Sequence, residues 1–90
     1  MRTQLSPGYD SRKSFYGKAI VETEPGKPVD LYSYGTLVAR IDYSQSPTIP
    51  QVFGSYSATT LRHIKEFLKQ NHFAANNKTQ IINDYVRNDI

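Results

Sequence analysis

The run from Val29 to Asp42, VDLYSYGTLVARID, alternates apolar and polar residues on both sides of one glycine, Gly35. Period-two alternation interrupted by a turn residue is the pattern of two antiparallel strands, so this stretch commits the chain to a β-hairpin. The turn decides which side chains share a face. A three-residue loop, Ser33-Tyr34-Gly35, with Gly35 at the left-handed bulge position, pairs Leu31 with Leu37 and Val29 with Ala39. Val29, Leu31, Leu37, Ala39 and Ile41 then all face the core. A two-residue turn that pairs Tyr32 with Ala39 sets Leu31 beside Arg40 and mixes polar with apolar residues on both faces. The three-residue register is therefore the expected one.

The hairpin needs neighbours. Upstream, Phe15, Gly17, Ala19 and Val21 alternate with Ser14, Tyr16, Lys18, Ile20 and Glu22, which predicts a first strand. Glu24-Pro25-Gly26-Lys27-Pro28 ends it: Pro25 presets φ for the first corner of a type II turn, and Gly26 takes the positive φ of the second. Downstream, the Ser- and Pro-containing segment Tyr43 to Pro50 reads as a surface loop. Gln51 to Tyr56 reads as a short fourth strand, with Pro50 at its start because proline cannot donate to a ladder. Residues 1–13 carry Ser6-Pro7-Gly8 and no apolar period, and read as a flexible arm ahead of a single domain at 14–90.

After the strands the period becomes helical. Ser57 is positioned to cap a main helix over about residues 58–71, with Leu61, Ile64, Phe67 and Leu68 on one side. Arg62, Lys65 and Lys69 fall on a strip beside that apolar arc, and Arg62 stands four residues before Glu66, the spacing of a helical ion pair. With His72 in the left-handed conformation, Phe73 folds back on Leu68 as in a Schellman closure. Asn77 and Gln80 have capping-box spacing, followed by Ile81, Ile82, Tyr85 and Val86, so a short C-terminal helix is expected over about 78–87. The fold class is α+β: an antiparallel meander of three to four strands packed on one face by the two helices.

Size and composition bound what such a domain does. Ninety residues support one small core, and the absence of cysteine leaves packing as the source of stability. No apolar run is long enough for a signal peptide or a membrane span, so a cytoplasmic protein is expected. The formal charge of +3 tilts the chain weakly towards anionic partners. His63 and His72 are the only histidines, and no carboxylate or cysteine cluster supplies further ligands, so neither a metal nor another cofactor is expected. There is no GxSxG elbow and no Gly-rich phosphate loop. The one enzyme reading with a rationale is a metal-independent ribonuclease in which His63 and Glu22 act as acid and base while Arg62 and Lys65 stabilise the phosphorane. Against it, His63 lies about 200° around the helix from Leu61, nearly opposite the sheet.

The expected register leaves Tyr16, Lys18, Ile20, Tyr32, Val38 and Arg40 on the sheet face away from the helices. Rings beside cations on an open sheet suit single-stranded nucleic acid, because bases stack on the rings while Lys and Arg follow the phosphates. The same face with Ile20 and Val38 suits a protein partner or a second copy of the chain. The sites expected to bind are Tyr16, Lys18, Tyr32 and Arg40 on the sheet, and Arg62, Lys65 and Lys69 on the helix. A non-enzymatic binding role through protein contacts or self-association is preferred, with nucleic-acid binding as the alternative.

Two blocks, SFYGKAIV…LYSYGTLVARI and YSATTLRHIKEFLKQNHF, resemble small uncharacterised proteins encoded by bacteriophages and prophages of Gram-positive bacteria. In these a YGKA strand, an SYxTxVA hairpin and a YSxTTxRHIxxF helix recur. The similarity covers residues 14–73, and Tyr56, Ser57, Thr59, Thr60, Leu61, Arg62, His63, Ile64 and Phe67 match the helix pattern. Where such helices close with glycine, this chain has Asn71-His72. The resemblance brings no activity and no site residue. It implies a phage or mobile-element origin and a cytoplasmic role in a bacterium, modulating a host process.

Overall fold

The computed structural model describes residues 1–6, 8, 18–54 and 57–86. Five strands form one antiparallel sheet whose order follows the chain: β1 (Arg2–Gln4), β2 (Ala19–Glu22), β3 (Val29–Ser33), β4 (Thr36–Ile41) and β5 (Gln51–Val52). Helices α1 (Ala58–Gln70) and α2 (Lys78–Tyr85) pack against it. The α+β class is as expected, with one strand more than the sequence suggests.

The additional strand is β1, in the segment read as an arm. It pairs with β2 in the register Arg2↔Glu22, Thr3↔Val21 and Gln4↔Ile20. All three of its residues are exposed, as an edge allows, but Leu5 directly after it is buried in the core. Gly8 is held as well: its N–H donates to Glu66 Oε2 at 2.9 Å, and Gln70 Nε2 donates both to that oxygen and to the Ser6 carbonyl. Residues 9–13 of the expected arm, and Phe15, Tyr16 and Gly17 of the expected first strand, lie outside the described residues.

The hairpin register is not the expected one: the loop is shorter than Ser33-Tyr34-Gly35, and Leu31 pairs with Ala39 and Val29 with Ile41 in place of Leu31 with Leu37 and Val29 with Ala39. Tyr34 and Gly35 both have positive φ, 51° and 80°, which makes a two-residue turn between Ser33 and Thr36. Tyr32 then pairs with Leu37, but Leu31 pairs with Ala39, so Val38 is an extra residue on β4 and the ladder bulges there. A bulge sets two residues against one. Val38, expected on the outer face, is buried beside Ala39, and Leu37, expected in the core, stands opposite Tyr32 and is half-buried. Beyond the bulge, Leu31, Ala39 and Ile41 are buried and Val29 packs against the core as expected.

Both helix caps form where their residues require. The Thr60 N–H donates to Ser57 Oγ at 3.4 Å, and the Gln80 N–H to Asn77 Oδ1 at 2.9 Å. At the end of α1, His72 has φ 68°, its N–H reaches the Lys69 carbonyl, and the Phe73 N–H reaches the Leu68 carbonyl at 2.9 Å. That is the Schellman pair of hydrogen bonds, built on histidine where glycine is usual. Pro50 is buried immediately before β5, and Tyr56 of the expected fourth strand lies outside the described residues.

Candidate functional site: the open sheet face

Strand register arranges the face away from the helices into two cross-strand rows. One runs Arg2, Glu22, Asp30, Arg40, Gln51 across all five strands. The other runs Gln4, Ile20, Tyr32, Leu37. Phe53 extends it, because its N–H donates to the Val38 carbonyl next to Leu37, and 40 % of its surface stays exposed. The two-residue turn sets Leu37 opposite Tyr32, and the extra residue Val38 lets Leu37 and Arg40 both stay on this face.

The charged row reads plus, minus, minus, plus. Like charges directly opposite one another on neighbouring strands repel, so Glu22 and Asp30 each need a cation on their outer side. They have one. Arg2 Nε lies 2.6 Å from Glu22 Oε2, and Arg40 grips Asp30 with Nε at 2.6 Å and Nη2 at 3.0 Å. The bidentate Arg40–Asp30 pair is the stronger of the two, because the planar fork matches the carboxylate. Its hydrogen bond to Asp30 raises the already high pKa of Arg40. Arg2 also stands over the Tyr32 ring, 5.0 Å from its centre, and joins the two rows. Lys18 Nζ lies 5.9 Å from the centre of the Tyr34 ring at the hairpin tip.

Of the residues expected to bind, Tyr32 and Arg40 share this face but occupy different rows, and Lys18 is exposed just before β2. Tyr16 lies outside the described residues. Arg62, Lys65 and Lys69 lie within about 60° of one another around α1 and are half-buried. Glu66, expected to pair with Arg62 at the surface, is buried and takes hydrogen bonds from Gly8 and Gln70.

His63 is the larger correction. It is fully buried, and its Nδ1 shares a 2.8 Å hydrogen bond with Ser33 Oγ, which also meets Thr60 Oγ1 at 3.1 Å. The 200° offset from Leu61 is sound but the reference is poor, because Leu61 lies at the rim of the buried arc. Measured from Phe67 at its centre, His63 is only about 40° away. Glu22 lies on the opposite side of the sheet, so the acid and base of a ribonuclease are not brought together. Sequence reasoning also missed Arg2, Asp30, Leu37 and Phe53 as members of the open face, and placed Glu22 beside Ile20 without counting it among the binding residues. The i, i+2 spacing of Glu22 with Ile20 and of Asp30 with Tyr32 was the available signal.

Among the described residues, no group of three His, Cys, Asp or Glu side chains is placed to hold a metal ion, and no helix is long and apolar enough to cross a membrane. The chain belongs to a family of unknown function, DUF8033, whose model matches residues 3–84. No curated protein and no solved structure matches it.

Proposed function

We propose that this family member is a non-enzymatic binding protein that docks a protein partner, or a second copy of itself, on the open face of its sheet. The observation that supports this most is that both arginines of the face are already paired with carboxylates on it, Arg2 with Glu22 and Arg40 with Asp30. A phosphate backbone would have to compete with those carboxylates. An apolar partner surface would not. The row Ile20, Tyr32, Leu37, Phe53 supplies an apolar strip, and the neutralised charged row supplies a polar rim, the layout of a protein interface. The resemblance to phage and prophage proteins extends the reading to a mobile-element protein acting in a bacterial cytoplasm on a host process.

A single-stranded nucleic acid is the second reading, favoured by the placement of Arg2 over Tyr32 and of Lys18 near Tyr34. Cations beside rings are what stacked bases and their phosphates require.

The two readings separate in one set of measurements. Mass in solution is followed over a range of protein concentration, and partner capture from a bacterial lysate is compared between the wild type and Leu37→Glu. Docking predicts a dimer or a retained partner that Leu37→Glu loses and that moderate salt leaves in place. Binding of short DNA or RNA with a steep salt dependence, and no dimer or partner, sinks the docking reading.

A further inference from the structure

The segment between β4 and β5 folds beside the end of the charged row and leaves a cleft of about 350 Å³ lined by Pro28, Arg40, Asp42, Gln45, Ile49 and Gln51. Two of these, Arg40 and Gln51, end the charged row, so the cleft is continuous with the open face. Small-molecule and side-chain pockets begin at about 300 Å³, so the space is sufficient for one side chain.

The charge of the cleft differs from that of the protein. The chain carries +3, but among the described residues that line the cleft the one cation, Arg40, is taken by Asp30, and Asp42 remains as a further carboxylate. Asp42 Oδ1 accepts from the Ser44 N–H at 3.0 Å and the Ser44 hydroxyl at 2.7 Å, and among the described residues Oδ2 has only the Gln45 amide at 3.5 Å. A carboxylate offers about four acceptor positions, so Oδ2 has capacity for a strong donor. Those Ser44 hydrogen bonds, the hydroxyl first, also hold the Asp42 carboxyl below the usual carboxylate range. Gln51 is half-buried, and its side-chain amide makes no hydrogen bond among the described residues. Pro28 and Ile49 add apolar walls, and Ile49 is 46 % exposed.

We propose that this cleft accepts a basic side chain, lysine or arginine, from the protein docked on the open sheet face. The inference rests on the docking reading. The aliphatic stem of such a residue packs on Pro28 and Ile49 while its charged head meets Asp42 Oδ2 and the amide oxygens of Gln45 and Gln51. An acidic side chain would meet Asp42, and the cation among the described lining residues, Arg40, is already paired with Asp30.

The test needs no partner. The protein is titrated with the blocked amino acids N-acetyl-lysine amide and N-acetyl-arginine amide, with N-acetyl-norleucine amide and N-acetyl-glutamate amide as probes of the stem alone and of the opposite charge. The side-chain amide signals of Gln45 and Gln51 are followed by nuclear magnetic resonance. The expected result is saturable shifts with at least one cationic probe and none with the other two, with binding at least about fivefold weaker in Asp42→Asn, which keeps an oxygen for Ser44. No saturable shift, equal shifts with norleucine, or unchanged binding in Asp42→Asn overturns the proposal. A partner complex lost in Leu37→Glu but intact in Asp42→Asn removes the cleft and leaves the docking face standing.

Discussion

Ser33 and His63 meet across the interface of sheet and helix at 2.8 Å, and neither is accessible to more than 2 % of its surface. Ser33 is placed there by β-pairing with Ala19, and His63 by its position one helical turn before Phe67. The contact locks α1 against β3 through a buried polar bond, to which Thr60 Oγ1 adds a second partner for Ser33. A buried polar group left without its partner costs about 1–3 kcal/mol, more than the bond contributes when made. Ser33→Ala should therefore lower unfolding stability in urea by about 1–3 kcal/mol. A double-mutant cycle with His63→Leu should show coupling of about 0.5 kcal/mol or more. Additive effects would mean that the contact orders nothing.

The neutralised arginines give a prediction about charge. Asp30→Asn and Glu22→Gln together free Arg40 and Arg2 while leaving the shape of the face nearly unchanged. The double variant should gain affinity for a short single-stranded oligonucleotide, and that gain should disappear as salt is raised. Fluorescence anisotropy at two salt concentrations reads it. If the wild type already binds as tightly as the variant, the ion pairs do not guard the face.

At the end of α1, His72 holds φ 68°, a conformation that disfavours side chains bearing a Cβ. His72→Gly removes that cost and retains both Schellman hydrogen bonds, because the backbone makes them. It should stabilise the protein by up to about 1 kcal/mol, visible as a higher urea midpoint at unchanged slope.

Tyr85 links α2 to the segment before it: its hydroxyl donates to the Ala74 carbonyl at 2.8 Å, and burial raises its pKa above the ordinary value of 10.0. A group whose folded pKa is raised contributes stability that is intact below the unfolded pKa and is lost as pH rises through the folded one. Stability should therefore fall above about pH 10. Tyr85→Phe should cost about 1 kcal/mol at neutral pH through the lost hydrogen bond and flatten that alkaline fall. Tyr43, whose phenol is also raised by burial, keeps part of the slope.

Residues that act locally were the legible ones. Ser57 and Asn77 cap the helices their spacing announces, His72 and Phe73 close α1 as their positions require, and Leu31, Ala39 and Ile41 fill the core that alternation assigns them. The hairpin turn was not legible, because tyrosine is a poor residue at positive φ and local preference argues against Tyr34 there. Tertiary context overrides that preference: the turn brings the Tyr34 ring to 5.8 Å from His63. Arg2-Thr3-Gln4 has no apolar alternation to reveal it, since an edge strand with every residue exposed needs none. The open face was half visible. Tyr32 and Arg40 follow from alternation alone, but the neighbours they meet, Leu37 and Asp30, depend on the two-residue turn and the extra residue Val38, a register event that no single strand encodes.

The strand order, in which every neighbour in space is also a neighbour along the chain, bears on how the protein is made. The central hairpins, β2 with β3 and β3 with β4, close over short loops and can pair as soon as they leave the ribosome, so the middle of the sheet forms in the direction of synthesis. The helices that cover its greasy side emerge after the sheet: α1 brings Ile64, Phe67 and Leu68, and the cover stays incomplete until Ile81 and Tyr85 of α2 arrive. A ribosome stalled before α2 would therefore display a sticky intermediate, and the arrival of α2 decides when the newborn sheet is sheltered.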